Sequence, residues 1–337
     1  MWLFALAALG GCAGGDDVGG ADGGEAGRGS QRPSGEVRSA PGEPRGSGAR
    51  YRAFVALEDD DRVAVLEGAP WRVVRTIPVP SGPHNVAADR GGRYVAVSSP
   101  PGGRVTILDS RGRVTARPRA GPGAHDIDFT ASGNGLWVSV EGSARVAKVA
   151  ASSGRLVGSR QTSGPPHDLA VSPDGEELWV TIDGSSSVEV RAAGSGDLLA
   201  RPSLGIAPHD LEFDRDGKRV WFSNWSSPLL TVASAARRES LARLGAGGEP
   251  HHFAFGARWL WVTDNASGEL LRIDPGSRRI LDRVSVGTEP HHVAVAGRHV
   301  LVAVHGSGEL AVVSRKGRLV RRIDVGAGPH GVAALKR

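Results

Sequence analysis

The chain has 337 residues, 41 basic against 36 acidic side chains, 49 glycines, a single cysteine and only 5% aromatic residues. Charges of both signs are interspersed, so the net +5 does not mark a nucleic-acid-binding module. One cysteine excludes an internal disulfide, and no apolar run is long enough to cross a bilayer.

The chain opens on an apolar stretch, Met1 to Ala13, of the length of a secretory signal core, and it contains the sole cysteine, Cys12. Leu9-Gly10-Gly11-Cys12 resembles a bacterial lipobox, although no Lys or Arg precedes the apolar core. The resemblance implies a signal peptide over 1–12, lipidation at Cys12, and an extracytoplasmic protein that meets the membrane through its lipid anchor only. Residues 13–50 are Gly-rich and lack the large apolar side chains that would offset the entropy of ordering, so they read as a disordered tether.

From residue 51 onward the chain repeats. Tyr51 to Val79 holds three short apolar strands, and then Gly82-Pro83-His84 opens a series of equivalent junctions at His125, His167, His209, His251, His291 and His330. These histidines stand 39 to 42 residues apart. The clearest unit runs His167-Asp168-Leu169-Ala170-Val171 into a Pro173-Asp174-Gly175 turn and a second strand, Leu178-Trp179-Val180-Thr181. Third and fourth strands near Val188–Val190 and Leu198-Leu199 complete a four-stranded unit. That pattern predicts an all-β fold, a seven-bladed β-propeller over 51–337. His330 to Leu335 supplies a lone inner strand, which pairs with the amino-terminal three and closes the ring. Trp137, Trp179, Trp221, Trp261 and Leu301 recur in register and are expected as wedges between blades.

The copies at Pro166 to Asp183 and Pro250 to Asn265, with Trp261-Val262-Thr263-Asp264-Asn265, resemble the bacterial YVTN propeller repeat. In repeat form the chain is also similar to the seven-bladed lactonases and to virginiamycin B lyase. Those resemblances imply a site at the channel mouth and, for the lyase, a divalent metal with a histidine base; no residue set carries over position by position. The related WD40 repeat implies a second role for the junction histidines, a hydrogen-bonded network within each blade. Ser139, Thr181, Ser223 and Thr263 would supply its hydroxyls, and Glu141, Asp183 or Asn265 its acceptors.

Because the innermost strand follows each junction, all seven histidines are expected around one mouth of the channel. The turns between second and third strands open on the same face, at Glu58, Glu141, Asp183, Trp225, Asn265 and His305. Seven histidines exceed the four to six ligands of one ion, so the regular members His84, His125, His167 and His209 read as architecture. Functional signal lies where the symmetry breaks, at the doublets His251-His252 and His291-His292 and at His305. Side chains alternate along a strand, so one member of each doublet is expected to face the channel and His252, like His299, to lie off it as an ordinary surface or loop residue. His251, His291, His305 and His330, with Asp264 or Glu289 assisting, form the expected site for a divalent transition metal or for a histidine base. Three functions follow as expectations. One is a monomeric protein binding a metal, small molecule or envelope partner; the others are a lactonase-like hydrolase or lyase, and a scaffold without a small ligand.

Overall fold

Two-residue alternation and tight Gly turns impose antiparallel hairpins. In the computed structural model, which describes residues 50–68, 70–204 and 207–337, they assemble into seven four-stranded antiparallel blades. The leader expected at 1–12 with Cys12, and residues 13–49 of the tether expected over 13–50, lie outside the described residues. We number each blade by its junction histidine, from blade 1 at His84 to blade 7 at His330. Blade 3 represents the pattern, with Pro166–Val171 innermost and Glu177–Ile182, Val188–Ala192 and Leu198–Ala200 following outward. Gly175 closes its first hairpin at φ +81°, a conformation that side-chain-bearing residues rarely adopt.

The ring closes as the sequence predicts. Tyr51–Leu57, Arg62–Gly68 and Arg72–Pro78 form the outer three strands of blade 7, and Pro329–Lys336 is its inner strand. The closing pair is antiparallel, with Tyr51 opposite Lys336 and Val55 opposite Val332. Backbone pairing between the two ends removes the open edges that a linear array of blades would expose.

The apolar core is divided among the seven blade interfaces. Trp137 of blade 2 packs with Leu169, Val171 and Leu178 of blade 3, and its indole nitrogen donates to the Ala193 carbonyl at 3.0 Å. Trp179 packs in the same way with Leu211 and Phe213 of blade 4, Trp221 with Phe253 of blade 5, and Trp261 with Val293 of blade 6. Leu301 meets Ala53 and Val55 of blade 7. Register adds two members to this series: Phe54, opposite Ala333, faces blade 1, and Ala96, opposite Ala87, faces blade 2. Substituting Trp179→Ala empties one such interface and is expected to lower unfolding stability by about 3–5 kcal/mol. Leu199→Ala, on an exposed outer strand, serves as the near-neutral control in the same urea titration.

Candidate functional site

The inner strand does not run straight through its junction. In blade 3, Pro166 pairs with Ile182 and Leu169 with Val180, so three residues of the inner strand span two of its neighbour. Blades 2, 4, 5, 6 and 7 carry the same one-residue bulge. A bulge interrupts the alternation of side chains, and here it turns both the histidine and the residue after it toward the channel. Strand-two hydroxyls hold the bulge. Thr181 Oγ1 accepts the Asp168 N–H at 2.9 Å and donates to the carbonyl of His209, in the next blade, at 2.7 Å. Ser139 makes the equivalent pair with Asp126 and His167, and Thr263 with His252 and His291. The hydroxyls therefore bind backbone across the blade boundary. The imidazole partners expected for Ser139, Thr181, Ser223 and Thr263 are not where these hydroxyls point, because the bulge's extra peptide already takes them.

Two tiers of side chains result. The upper tier is a closed circle of seven imidazoles, each ring centroid 3.6 to 5.1 Å from the next. Its shortest step, His84 to His330, occurs where a Cβ at Gly331 would come within 2.4 Å of the His84 carbonyl oxygen. The lower tier holds the following residues. Asn85 donates to Asp126 at 2.6 Å, Asp126 and Asp168 accept the Leu169 and Leu211 N–H groups, and the His252 and His292 rings stack at 3.3 Å. Blades 2 to 4 thus contribute carboxyls and blades 5 and 6 contribute imidazoles. Asp128 and Glu212, one further inward position along their strands, extend the acidic side, and burial pushes their carboxyls up to about 7 and about 8.

Above the upper tier lies a funnel of about 400 Å³ whose lining includes Glu58, Trp225, Glu249, Asn265, Glu289 and His305 together with His84, His251, His291 and His330. Glu141 accepts from His167 Nδ1 at 3.0 Å and stands 3.6 Å from His125, while Asp183 lies 3.9 Å from His167. The Asn265 amide donates to His291 at 3.2 Å, and the exposed Trp225 stacks on His209 at 4.3 Å. His305 lies 3.7 Å from both Glu58 and Glu289.

Electrostatics keep the circle largely neutral. Two imidazolium charges about 4 Å apart repel by roughly 4 kcal/mol at an effective dielectric of about 20, so neighbours cannot all carry protons. Burial and then adjacent imidazoles hold His84, His209 and His330 well below the ordinary value. Burial likewise lowers His251 to about 3 and His291 to about 4. Two histidines move the other way. For His167 burial lowers the value, but the Glu141 hydrogen bond and nearby carboxylates outweigh it, and His305 is raised chiefly by Glu58.

The structure thus brings His251, His291, His305 and His330 together and places Glu58, Glu141, Asp183 and Asn265 around them. It does not divide the circle, since His84, His125, His167 and His209 occupy equivalent places. Three sequence expectations require correction. Asp264 is fully buried and belongs to none of the close donor groups among the described residues: its Oδ1 accepts the Glu249 N–H at 2.8 Å and stands against the Gly248 turn. His252 lines the channel, 3.1 Å from Asp210, because the bulge overrides alternation. His299 does lie off the channel, but as a buried side chain rather than a surface one, with Trp71 Nε1 donating to its Nδ1 at 3.1 Å. The sequence reading also missed Asp128 and Glu212, whose signal was an acid at an inward position of the runs Asp126-Ile127-Asp128-Phe129 and Asp210-Leu211-Glu212-Phe213.

Fold and site together define a seven-bladed β-propeller with a histidine-circled channel. No family model matches the chain, and no curated protein matches it. Solved structures do. The periplasmic gluconolactonase PpgL of Pseudomonas aeruginosa is 23% identical, with a TM-score of 0.70 over 85% of this chain and 99% of its own. AztD of Citrobacter koseri is 14% identical, with a TM-score of 0.66 over 85% and 98%. The hydrazine synthase structure of Kuenenia stuttgartiensis is 16% identical, with a TM-score of 0.68 over 75% and 89%. Proteins so differently described share the architecture, and the likeness is one of fold.

The His167–Glu141 pair gives a pH signature. The raised His167 value makes its contribution fully present below its ordinary 6.5 and lost as pH climbs through the folded value. The lowered Glu141 value makes its contribution present above 4.5 and lost as pH falls through the folded value. Glu141→Gln is therefore expected to cost about 1 kcal/mol near pH 6 and clearly less near pH 8.5, read from urea titrations at the two pH values.

Proposed function

We propose that this protein is an extracytoplasmic propeller that binds a divalent transition-metal ion at the histidine-lined mouth of its channel. One observation carries the reading. Nδ1 of His251 and His330, Nε2 of His292 and Oδ2 of Asp210 are all buried without a hydrogen-bond partner among the described residues. Unsatisfied buried polar atoms are costly, and these four along the channel suit an ion that accepts lone pairs. Neutral imidazoles are the form that binds a metal, so the lowered histidine values favour loading without displacing protons. The carboxylates Glu58, Glu249 and Glu289 around the funnel would draw cations toward it. The lipobox-like Leu9-Gly10-Gly11-Cys12 supports an extracytoplasmic site anchored by lipid at Cys12, in keeping with the periplasmic description of the gluconolactonase.

A second reading, a lactonase-like hydrolase, is favoured by the funnel's size and by His305 between Glu58 and Glu289. In it His305 would act as the proton-transferring group above a bound lactone.

Metal binding is tested by dialysing the purified protein against zinc, removing loose ion by gel filtration, and measuring retained metal by elemental analysis. Stoichiometric zinc, lost in His251→Ala with the circular-dichroism melt preserved, is the expected result. No retained zinc in the folded protein rejects the metal reading. Turnover of simple lactones, abolished by His305→Ala, would be required for the second.

A further inference from the structure

Four groups of three donors come close enough to share an ion among the described residues, and they are not equivalent. In the group of His125, Glu141 and His167, the carboxylate is already committed to a hydrogen bond with His167. Glu58, grouped with His84 and His330, is shared with His305. His167 and His209 compete for Asp210 from one side, His209 Nδ1 lying 3.5 Å from Oδ1. The fourth group uses the other oxygen, Asp210 Oδ2, and is the one in which a buried carboxylate oxygen and a buried imidazole nitrogen both lack hydrogen-bond partners.

We propose that Asp210, His251 and His252 form a two-histidine, one-carboxylate site for a single divalent transition-metal ion, at the step between the two tiers of the channel. Asp210 Oδ2 lies 3.1 Å from His252 Nδ1 and 3.7 Å from His251 Nδ1, and the three residues offer donor atoms within 4.8 Å of one another. Donors bound tetrahedrally at about 2.0–2.1 Å stand about 3.3 Å apart, so these separations suit one shared ion with small side-chain adjustment. The 3.1 Å approach lacks hydrogen-bond geometry, as lone pairs directed at a common third atom would.

The scaffold holds the ligands from behind. Asp210 and His252 each follow a junction histidine in a bulge, and their N–H groups are fixed by Ser223 Oγ at 3.1 Å and Thr263 Oγ1 at 3.0 Å. His252 is further packed against His292. Two imidazoles and one carboxylate select borderline d-block ions over Mg²⁺ or Ca²⁺, which favour six or more oxygen donors. Three protein ligands leave at least one coordination position open toward the funnel, where an exogenous ligand could enter.

This inference rests on the metal-binding reading, and cobalt separates the two. Co²⁺ chloride is titrated into the whole protein while its visible d–d absorption is recorded, for the wild type, Asp210→Asn, His252→Gln and the outer-strand control Leu199→Ala, with each variant's fold checked by thermal melt. Second-layer substitutions at metal sites already cost about 10–100-fold in affinity, so loss of a direct ligand is expected to cost at least about 100-fold. Such a loss in Asp210→Asn and in His252→Gln, with intensity and affinity kept in Leu199→Ala, is the expected result. If Asp210→Asn does not fold, His252→Gln decides the point by itself. Unchanged binding in folded His252→Gln would overturn this ligand set while leaving a metal elsewhere at the mouth. No spectral change in the folded wild type would overturn both.

Discussion

Everything distinctive about this channel depends on one extra backbone residue at the junctions of blades 2 to 7. The bulge at each of these junctions puts two consecutive residues on the lumenal side where a regular strand would offer one. A propeller of regular strands would carry a single circle of imidazoles. With the bulge it carries a second circle directly beneath, and the identity of the residue after each histidine becomes a functional variable. The strand-two hydroxyls make the irregularity durable, since Ser139, Thr181 and Thr263 each satisfy the displaced N–H in their own blade and the histidine carbonyl in the next. The feature that aims the site also joins neighbouring blades.

The two tiers differ in electrical character. Proximity and burial keep the upper circle mostly uncharged, and charge is admitted where a carboxylate reaches a histidine, as at His167 with Glu141 and His305 with Glu58. The lower tier is lopsided. Buried carboxyls on blades 2 to 4 oppose His252 and His292 on blades 5 and 6, and Asp210 stands at the seam between them. A lumen with acids on one wall and imidazoles on the other, and unpartnered atoms where they meet, suits a cation better than a neutral ligand.

The fold was legible because its determinants are periodic. Seven junction histidines, the Pro-Asp-Gly hairpin at 173–175, the recurring tryptophans and the split blade at the two ends each repeat a packing requirement, so blade count and closure follow from the sequence. The site was legible in part. His251, His291 and His305 stand out through the doublets and the turn that break the symmetry, His330 joins them as the junction of the next blade, and their shared funnel follows from blade geometry alone. Asp264 misled because its neighbour Asn265 does face His291, and one residue along a turn reverses the direction of a side chain. His252 misled for the converse reason: strict alternation was assumed at the one place where backbone register slips. A bulge leaves little trace in a single sequence, since it is set by the pairing of two strands rather than by the residues of either. Phe54 and Ala96 escaped notice as members of the wedge series because their side chains differ from tryptophan while their register does not.

The central claim is that the bulged junctions of blades 4 and 5 assemble a metal centre inside the channel. Diffraction at the zinc absorption edge, from crystals grown with one equivalent of zinc, tests it most directly. The account predicts a single strong anomalous peak about 2.0–2.2 Å from Asp210 Oδ2 and from nitrogens of His251 and His252. An empty channel, with zinc found only at exposed side chains, would contradict it.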